Sequence, residues 1–298
     1  MSMKHTSLIG AATGWGAQKR ATEHGPDAMK HFDLVDKLQQ ENFSLDWQET
    51  IYPSLRFANH DDIKPGDCTP YVSEMCRGVF GAVEKAIQNG DFPCVIGGDH
   101  SIAVGTWSAA MAALNAAGQF GLIWFDAHMD AHTPATSPSQ ALHGMPVAIL
   151  LGYGLTELVK PLAKLKPEHV VLIGVRSFEE GEQHLLEKLG VKIFYTKDIK
   201  EKGFENVLKE ALKIVNTGTV GFGLSLDLDG FDPSVAPGVG SPAPKGLTEE
   251  EVLPALRLIR DHPKFAAMEI TEYNPHLDPQ LKTAHLIHKI LRELLNKE

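Results

Sequence analysis

Six side chains of metal-binding type fall into three short clusters along this chain. The apolar run Leu122-Ile123-Trp124-Phe125 ends abruptly in Asp126-Ala127-His128-Met129-Asp130, which sets three potential ligands two residues apart. A β-strand repeats every two residues, so Asp126, His128 and Asp130 project on one side if strand geometry continues. About a hundred residues downstream, Ser225-Leu226-Asp227-Leu228-Asp229 repeats the device, with Asp227 and Asp229 on one side and Leu226 and Leu228 on the other. Upstream, residues 92–96 read as a strand running into Gly97-Gly98-Asp99-His100-Ser101. His100 therefore stands at a strand's C-terminal end, where ligand sites lie in open α/β sheets. The paired glycines permit backbone conformations and a close ligand approach that side chains would forbid.

Carboxylates at the end of a buried strand are costly unless a counter-charge compensates them, and a metal could do so. Four carboxylates offset two divalent cations, and bridging carboxylates could hold the ions about 3.5–4 Å apart. The set contains no thiolate, which disfavours a structural zinc site. Mixed oxygen and nitrogen ligation suits Mn²⁺, while Fe, Co, Ni and Zn stay open on ligand type alone. Two such ions can lower the pKa of a shared water and present a nucleophile near neutral pH. The spacing predicts metal-assisted hydrolysis. A binuclear phosphoesterase fits less well: Asp126-x-His128 matches its opening motif, but Gly98-Asp99-His100 lies upstream and no Gly-Asn-His follows.

Other residues join these clusters with less force. His143, at a loop–helix junction, is either a proton carrier, since its unperturbed pKa lies near neutrality, or a loop histidine without chemical duty. Glu272, in Thr271-Glu272-Tyr273-Asn274-Pro275, is another carboxylate at a strand's C-terminal end. Glu179, Glu180 and Glu182 could recognise an amine or simply be solvated. Asp232 leaves the strand spacing and reads as a turn organiser. His285 and His288 read as surface or interface residues. The glycine-rich loop 11–26 lacks a G-x-x-x-x-G-K-[ST] pattern and reads as an ordinary loop near the site or at a subunit contact.

The elements that must position these groups alternate in type. Strands are expected at 6–10, 92–96, 122–125, 170–175, 191–195, about 220–229 and 265–270. Helices are expected at 27–41, 71–88, from about 102 with Ser101 as cap, 147–151, 182–189, 204–215, from the Thr248–Glu251 capping box to 260, and 281–295. Residues 50–66 read as loop with a short strand. No linker or repeat divides the chain, so residues 1–298 are expected to form one α/β domain around a mostly parallel sheet.

Composition narrows the function classes. The chain has 298 residues, 43% hydrophobic and 22% charged, ordinary for a soluble globular protein. A net charge of −10 argues against a nucleic-acid binder and against attraction to an anionic membrane, and is compatible with a small cationic substrate. Cys68, Cys76 and Cys94 are odd in number and lack metal-type spacing, which points to a reducing cytoplasm. The N-terminus has no signal-peptide apolar region, and no stretch reaches the ~20 apolar residues of a membrane span.

The motifs resemble those of the ureohydrolase family, which includes arginase and agmatinase. Gly97-Gly98-Asp99-His100-Ser101, Asp126-Ala127-His128-Met129-Asp130 and Ser225-Leu226-Asp227-Leu228-Asp229 are similar to its three metal motifs in order and spacing. The resemblance continues through Gly25-Pro26, His143-Gly144, Gly181-Glu182, Gly246-Leu247-Thr248 and Glu272-Tyr273-Asn274-Pro275. It implies a single three-layer α/β/α domain with two Mn²⁺ ions per subunit, assembled as a homotrimer or homohexamer.

It also implies roles. His100, Asp126, His128, Asp130, Asp227 and Asp229 would be the metal ligands, with Asp130 handling the proton of a metal-bridging hydroxide that attacks the guanidinium carbon. Glu272 would bind the guanidinium and His143 would transfer a proton to the leaving amine. The stretch Arg176 to Glu182 and the Glu-Tyr-Asn-Pro ending look more like arginase than agmatinase, which implies conversion of L-arginine to L-ornithine and urea. Ser139, Glu179 and Ser241 fall where arginases hold the amino-acid end of the substrate. His132 and Ala141 depart from the pattern, standing where arginases usually carry carboxylate-binding asparagines. Agmatine, or another guanidino or formimino compound, is the alternative substrate. A non-catalytic metal-binding protein would lack a ligand, the proton carrier or the guanidinium-binding carboxylate, and all are present.

Overall fold

The computed structural model describes residues 5–54, 63–114, 119–159 and 164–295. Among them the apolar runs form strands β1 (Thr6–Ala11), β2 (Leu45–Ile51), β3 (Phe92–Gly97), β4 (Phe120–Phe125), β5 (Val170–Val175), β6 (Lys192–Tyr195), β7 (Gly221–Asp227) and β8 (Phe265–Thr271). The connecting helices are α1 (Gly25–His31), α2 (Leu34–Gln40), α3 (Thr69–Gln88), α4 (Ala103–Ala113), α5 (Pro146–Leu150), α6 (Glu180–Leu189), α7 (Thr196–Lys202), α8 (Phe204–Asn216), α9 (Glu249–Arg260) and α10 (Lys282–Leu294).

The strands make one sheet in the order β2-β1-β3-β8-β7-β4-β5-β6, with every neighbouring pair parallel. Every residue of β1, β3, β4, β5 and β7 is buried, as a parallel sheet covered on both faces requires, while edge strands β2 and β6 carry partly exposed side chains. Alternate residues feed two apolar layers. Leu8, Ile96, Ile123 and Leu224 pack with residues of α1, α2, α8, α9 and α10, whereas Ile9, Val95, Leu122 and Trp124 pack with residues of α3, α4, α5 and α6. The result is the expected three-layer α/β/α architecture.

The strand order also gathers the candidate residues. The strands that precede His100, Glu272, Asp227 and Asp126 are β3, β8, β7 and β4, which are consecutive in the sheet. Parallel pairing brings all four C-terminal ends to one edge. Residues separated by up to 172 positions therefore meet there, as His100 and Glu272 do.

Several local expectations are corrected. Residues 27–41 form two helices, because Asp33 adopts a left-handed φ of 56° that a right-handed helix cannot continue through. The short strand expected within 50–66 starts earlier, as β2 runs from Leu45; residues 55–62 lie outside the described residues. Helix α7 has no apolar period and is absent from the expected elements; Asp198 opens it by accepting the Tyr195 amide at 2.9 Å. Ser101 is not a cap. The Asp99 carboxylate instead accepts the Ser101 amide at 3.0 Å and opens a short 3-10 turn, His100–Ile102, ahead of α4. Packing requires Gly98, since a Cβ there would lie 1.8 Å from the Thr13 carbonyl oxygen.

Candidate active site

Asp126, His128 and Asp130 converge, but not through the strand pleat. β4 ends at Phe125, and the chain then turns: Asp126 Oδ1 accepts the His128 amide at 2.6 Å, and Asp130 takes a left-handed φ of 49°. A side chain that bonds the backbone two residues on makes its own turn, which replaces the extended geometry. The second cluster repeats this. Asp227 ends β7, its Oδ1 accepts the Asp229 amide at 2.8 Å, and Asp229 lies in the 3-10 turn Leu228–Gly230.

His100 ties the clusters together. Its Nδ1 lies 3.2 Å from Asp126 Oδ2, 3.1 Å from Asp130 Oδ2 and 3.0 Å from Asp227 Oδ2. Its Nε2 bonds Ser225 Oγ at 2.8 Å, and that hydroxyl donates to Glu269 Oε1 at 2.6 Å. With the hydroxyl proton committed to Glu269, Ser225 accepts from Nε2–H, which turns Nδ1 toward the carboxylates, where it would offer its lone pair to a bound cation. The ring also stacks on Trp124 at 4.1 Å, and Trp124 Nε1 donates to Asp126 Oδ2 at 2.9 Å. His128 Nδ1 lies 3.1 Å from Asp229 Oδ2 and 3.5 Å from Asp126 Oδ1. Two donor groups result, His100/Asp126/Asp227 and Asp126/His128/Asp229, each with ligand atoms within 4.8 Å of one another and Asp126 common to both.

The electrostatics show what the cluster lacks. Burial, then the neighbouring Asp229 and Asp126 charges, pushes Asp227 well above the usual carboxylate range. Burial and Asp126 raise Asp130 to about 6, and burial raises Asp229. Burial would depress His100 and His128, yet the surrounding carboxylates hold both well above the ordinary histidine value. Protons on these groups thus offset the crowded carboxylates. Two divalent cations would take their place, since with both histidines neutral they balance four carboxylates, and the oxygen-and-nitrogen donor set fits them.

Glu272 stands beside this centre in a left-handed conformation, φ 67°, and its amide donates to the Gly98 carbonyl at 2.8 Å. Its Oε1 accepts from the His100 amide at 3.0 Å and from His143 Nδ1 at 2.9 Å. Its Oε2 is buried and has no hydrogen-bond partner among the described residues. Burial alone would raise the Glu272 carboxyl, but His143 and His100 outweigh it and hold it below the usual range. His143 shifts the opposite way: burial opposes its charge, yet the bond to Glu272 and the charges of Glu272, Asp99 and Asp130 lift it to about 9.

A cleft of about 250 Å³ opens over these groups. His128, Asp130, Asp227, Asp229, His143 and Glu272 line its inner part, while His132, Ser139, Glu179 and Ser241 line its rim; His100 and Asp126 are buried beneath. All the sequence-derived site residues are therefore brought together. At the rim, His132 Nε2 bonds Glu179 Oε2 at 2.9 Å and Nδ1 bonds Thr136 Oγ1 at 3.2 Å. Buried Ala141 turns only its amide to the rim, donating to Ser139 Oγ at 3.2 Å. The loop 11–26 borders the cleft through Gln18. Asp232 organises its turn, accepting the amides of Ser234 and Gly246 at 3.0 Å each. His285 and His288 pack against Phe32, outside the cleft lining.

Several supporting groups escape sequence reasoning. Glu182 is not a solvated acid but is buried at the rim, where it accepts the Ala131 and Glu179 amides at 3.2 and 3.0 Å; burial, outweighing those bonds, raises it to about 8. Ser225 and Glu269 carry a usable signal, because each is a polar residue on an interior strand. Arg176 opens a stretch that carries the family resemblance, but its supporting role leaves no signal, as its partners are backbone carbonyls.

A parallel α/β sheet whose strand ends gather two histidine–carboxylate groups beneath a carboxylate-lined cleft defines a class: the α/β proteins with a candidate binuclear metal centre. Similarity to known proteins makes it particular. The arginase family model matches residues 4–296, and the chain belongs to the arginase family. It is 36% identical to arginase of Bacillus caldovelox, covering 99% of both chains, and 35% identical to arginase of Bacillus subtilis (strain 168), again covering 99% of both. The native Bacillus caldovelox arginase structure superposes with a TM-score of 0.92, at 36% identity and 99% coverage of each chain.

Proposed function

We propose that this protein hydrolyses L-arginine to L-ornithine and urea, as a single catalytic domain with two Mn²⁺ ions per subunit. The observation that carries the proposal is the buried, unpartnered Oε2 of Glu272, which borders a cleft over two metal-type donor groups. A buried carboxylate oxygen requires a donor, and a guanidinium supplies N–H groups in a planar fork together with the opposite charge.

Ions held by His100, Asp126, His128, Asp130, Asp227 and Asp229 would supply Lewis acidity, lowering the pKa of water and stabilising the tetrahedral centre that forms at the guanidinium carbon. The chain's residues do the rest. Glu272 orients the guanidinium through Oε2 while Oε1 keeps its bond to His143. Asp130, which faces the cleft, accepts the proton released by the nucleophile. His143 is protonated at neutral pH, and its Nε2 hands a proton to the leaving amine. A substrate cation on Glu272 opposes the charge on His143 and so favours that transfer. Ser139, Glu179, Ser241 and His132 receive the amino-acid end.

Ala141 favours a second reading. It offers no side-chain donor to a carboxylate, and both His132 nitrogens are engaged, so agmatine or another guanidino compound is the competing substrate. Mn²⁺ suits the hard donor set, with Co²⁺, Ni²⁺ and Fe²⁺ as alternatives. A cytoplasmic setting is supported by three buried free thiols, and no helix among the described residues is long and apolar enough to cross a membrane. We infer a homotrimer or homohexamer from the family alone. The test is urea release by the Mn²⁺-loaded protein from arginine, agmatine and a panel of guanidino acids. Preference for arginine is expected; urea from another compound only would keep the mechanism and overturn the substrate, and urea from none would overturn both.

A further inference from the structure

Arg176 follows β5 and points its guanidinium beneath the turn that carries Asp229. It is half-buried and makes no ion pair with a carboxylate among the described residues, although the chain carries a net charge of −10. Its donors go instead to six backbone carbonyls. Nη2 donates to Asp229 O at 2.6 Å, Phe231 O at 3.1 Å and Ala243 O at 2.8 Å. Nη1 donates to Gly174 O and Gly230 O at 3.1 and 3.2 Å, and Nε donates to Pro244 O at 3.1 Å.

Three segments meet on this one group: the end of β5, the turn holding Asp229, and the loop two residues past Ser241. A 3-10 turn such as Leu228–Gly230 leaves its carbonyls without helical partners, and here a planar fork supplies them. The Asp229 side chain is fixed on its far side, where Oδ1 accepts the Ala127 amide at 3.2 Å. Its carbonyl is fixed by Arg176, so the direction of the carboxylate toward His128 is set from both ends.

We infer that Arg176 is a positioning residue that sets the Asp126/His128/Asp229 half of the metal centre and couples it to the loop carrying Ser241. The His100/Asp126/Asp227 half does not depend on it in this way, because His100 is oriented by Ser225 and Glu269. The inference rests on the binuclear reading above, and the experiment separates the two.

Arg176→Lys keeps the charge but presents three donors from one point, which cannot reach carbonyls spread around a fork; Arg176→Ala removes both. Wild type and both variants are loaded with Mn²⁺, passed through gel filtration and assayed for Mn per subunit, melting temperature and arginine kinetics. Wild type is expected to retain two ions. Arg176→Lys is expected to stay folded and retain one, with the second recovered only at ~10–100-fold higher Mn²⁺, as is typical when an outer support of a ligand is lost. Excess Mn²⁺ should then restore most of kcat but leave KM for arginine raised several-fold, because the Ser241 loop stays untied. Two ions retained at wild-type affinity would overturn the inference, and so would loss of both ions in step with the melting temperature, which is what a purely structural role predicts. Should Arg176→Ala fail to fold, the lysine variant alone decides. A wild-type count below two overturns the binuclear reading and this inference with it.

Discussion

At the inner end of the cleft Asp126 is fully buried, and both its carboxylate oxygens already accept fixed donors, the His128 amide and Trp124 Nε1. At the outer end the Glu179 side chain is 62% exposed and its partner is the His132 ring. The contrast separates two kinds of requirement. Buried carboxylates held in fixed directions need a counter-charge at a fixed place, so the inner end tolerates almost no change. On the proposed reading the rim receives the flexible amino-acid end of the substrate, and its side chains are partly exposed, so that electrostatics there are screened and residues can be exchanged. The proposed function thus assigns affinity for metal to the first region and preference among substrates to the second.

The sharpest way to break this division is Asp126→Asn. The residue keeps its shape, but both donor groups lose their common carboxylate. Urea release should fall about a thousand-fold or more, with Mn content dropping in parallel, since loss of a direct ligand exceeds the ~10–100-fold typical of its outer supports. Turnover retained with two ions bound would show that Asp126 is not shared.

Glu272→Gln should produce a loss of a different type. The amide preserves hydrogen bonding but removes the charge facing the guanidinium, and truncating such a buried charged pair costs about 2–5 kcal/mol. We expect kcat/KM to fall roughly 100-fold or more while the protein still carries two ions. Loss of metal in this variant would place Glu272 in the metal centre instead.

His143 gives a pH-dependent test of the same region. Burial works against its charge, but Glu272 outweighs burial and lifts the pKa from the ordinary 6.5 to about 9. A raised histidine pKa contributes stability that is complete below about 6.5 and disappears as pH rises through about 9. Glu272, held below the usual range, contributes stability above that range and loses it on acidification. The pair is thus fully formed near neutral pH. If His143 acts as the proton donor, kcat should decline as pH rises through the pKa of the enzyme–substrate complex, at or below about 9. His143→Asn should lower kcat about 100-fold and abolish that limb. A limb that survives the substitution assigns it to another group.

How much of this is legible in the sequence follows the same division. Asp126, His128, Asp130, Asp227 and Asp229 stand out because charge at the end of a buried apolar strand is costly unless a bound cation offsets it. Alternating strands and helices suffice for one α/β domain around a mostly parallel sheet, and the family resemblance adds the three layers. The manner of convergence is not legible, since turns closed by Asp126 and Asp227 place His128 and Asp229, where strand periodicity predicts the pleat. Nor is the order of strands: that β8 lies between β3 and β7, and so brings Glu272 beside His100, is decided by crossovers that leave no local pattern. The supporting role of Arg176 is invisible for a related reason, because backbone carbonyls have no sequence signature. Helix α7 escapes because a seven-residue segment rich in lysine and acid shows no apolar period.

The smallest effect expected is at the rim, where His132→Asn and Ala141→Asn would install the asparagines that the family resemblance leads one to expect there. Each new donor to the substrate carboxylate is worth about 0.5–1.5 kcal/mol net, or roughly 2- to 12-fold. Ala141→Asn adds a donor without removing a contact, though Ala141 is buried and the larger side chain must displace its neighbours. His132→Asn sacrifices the bonds to Glu179 and Thr136 and should gain less. We expect the double variant to lower KM for arginine about three- to ten-fold, leave kcat within about two-fold and leave agmatine kinetics unchanged, because agmatine has no carboxylate to receive. Metal content should stay at two throughout. A rise in KM for arginine would mean that the His132–Glu179 pair itself binds the amino-acid end, so that the rim has been rebuilt rather than stripped. A change in metal content would erase the boundary between the two ends of the cleft.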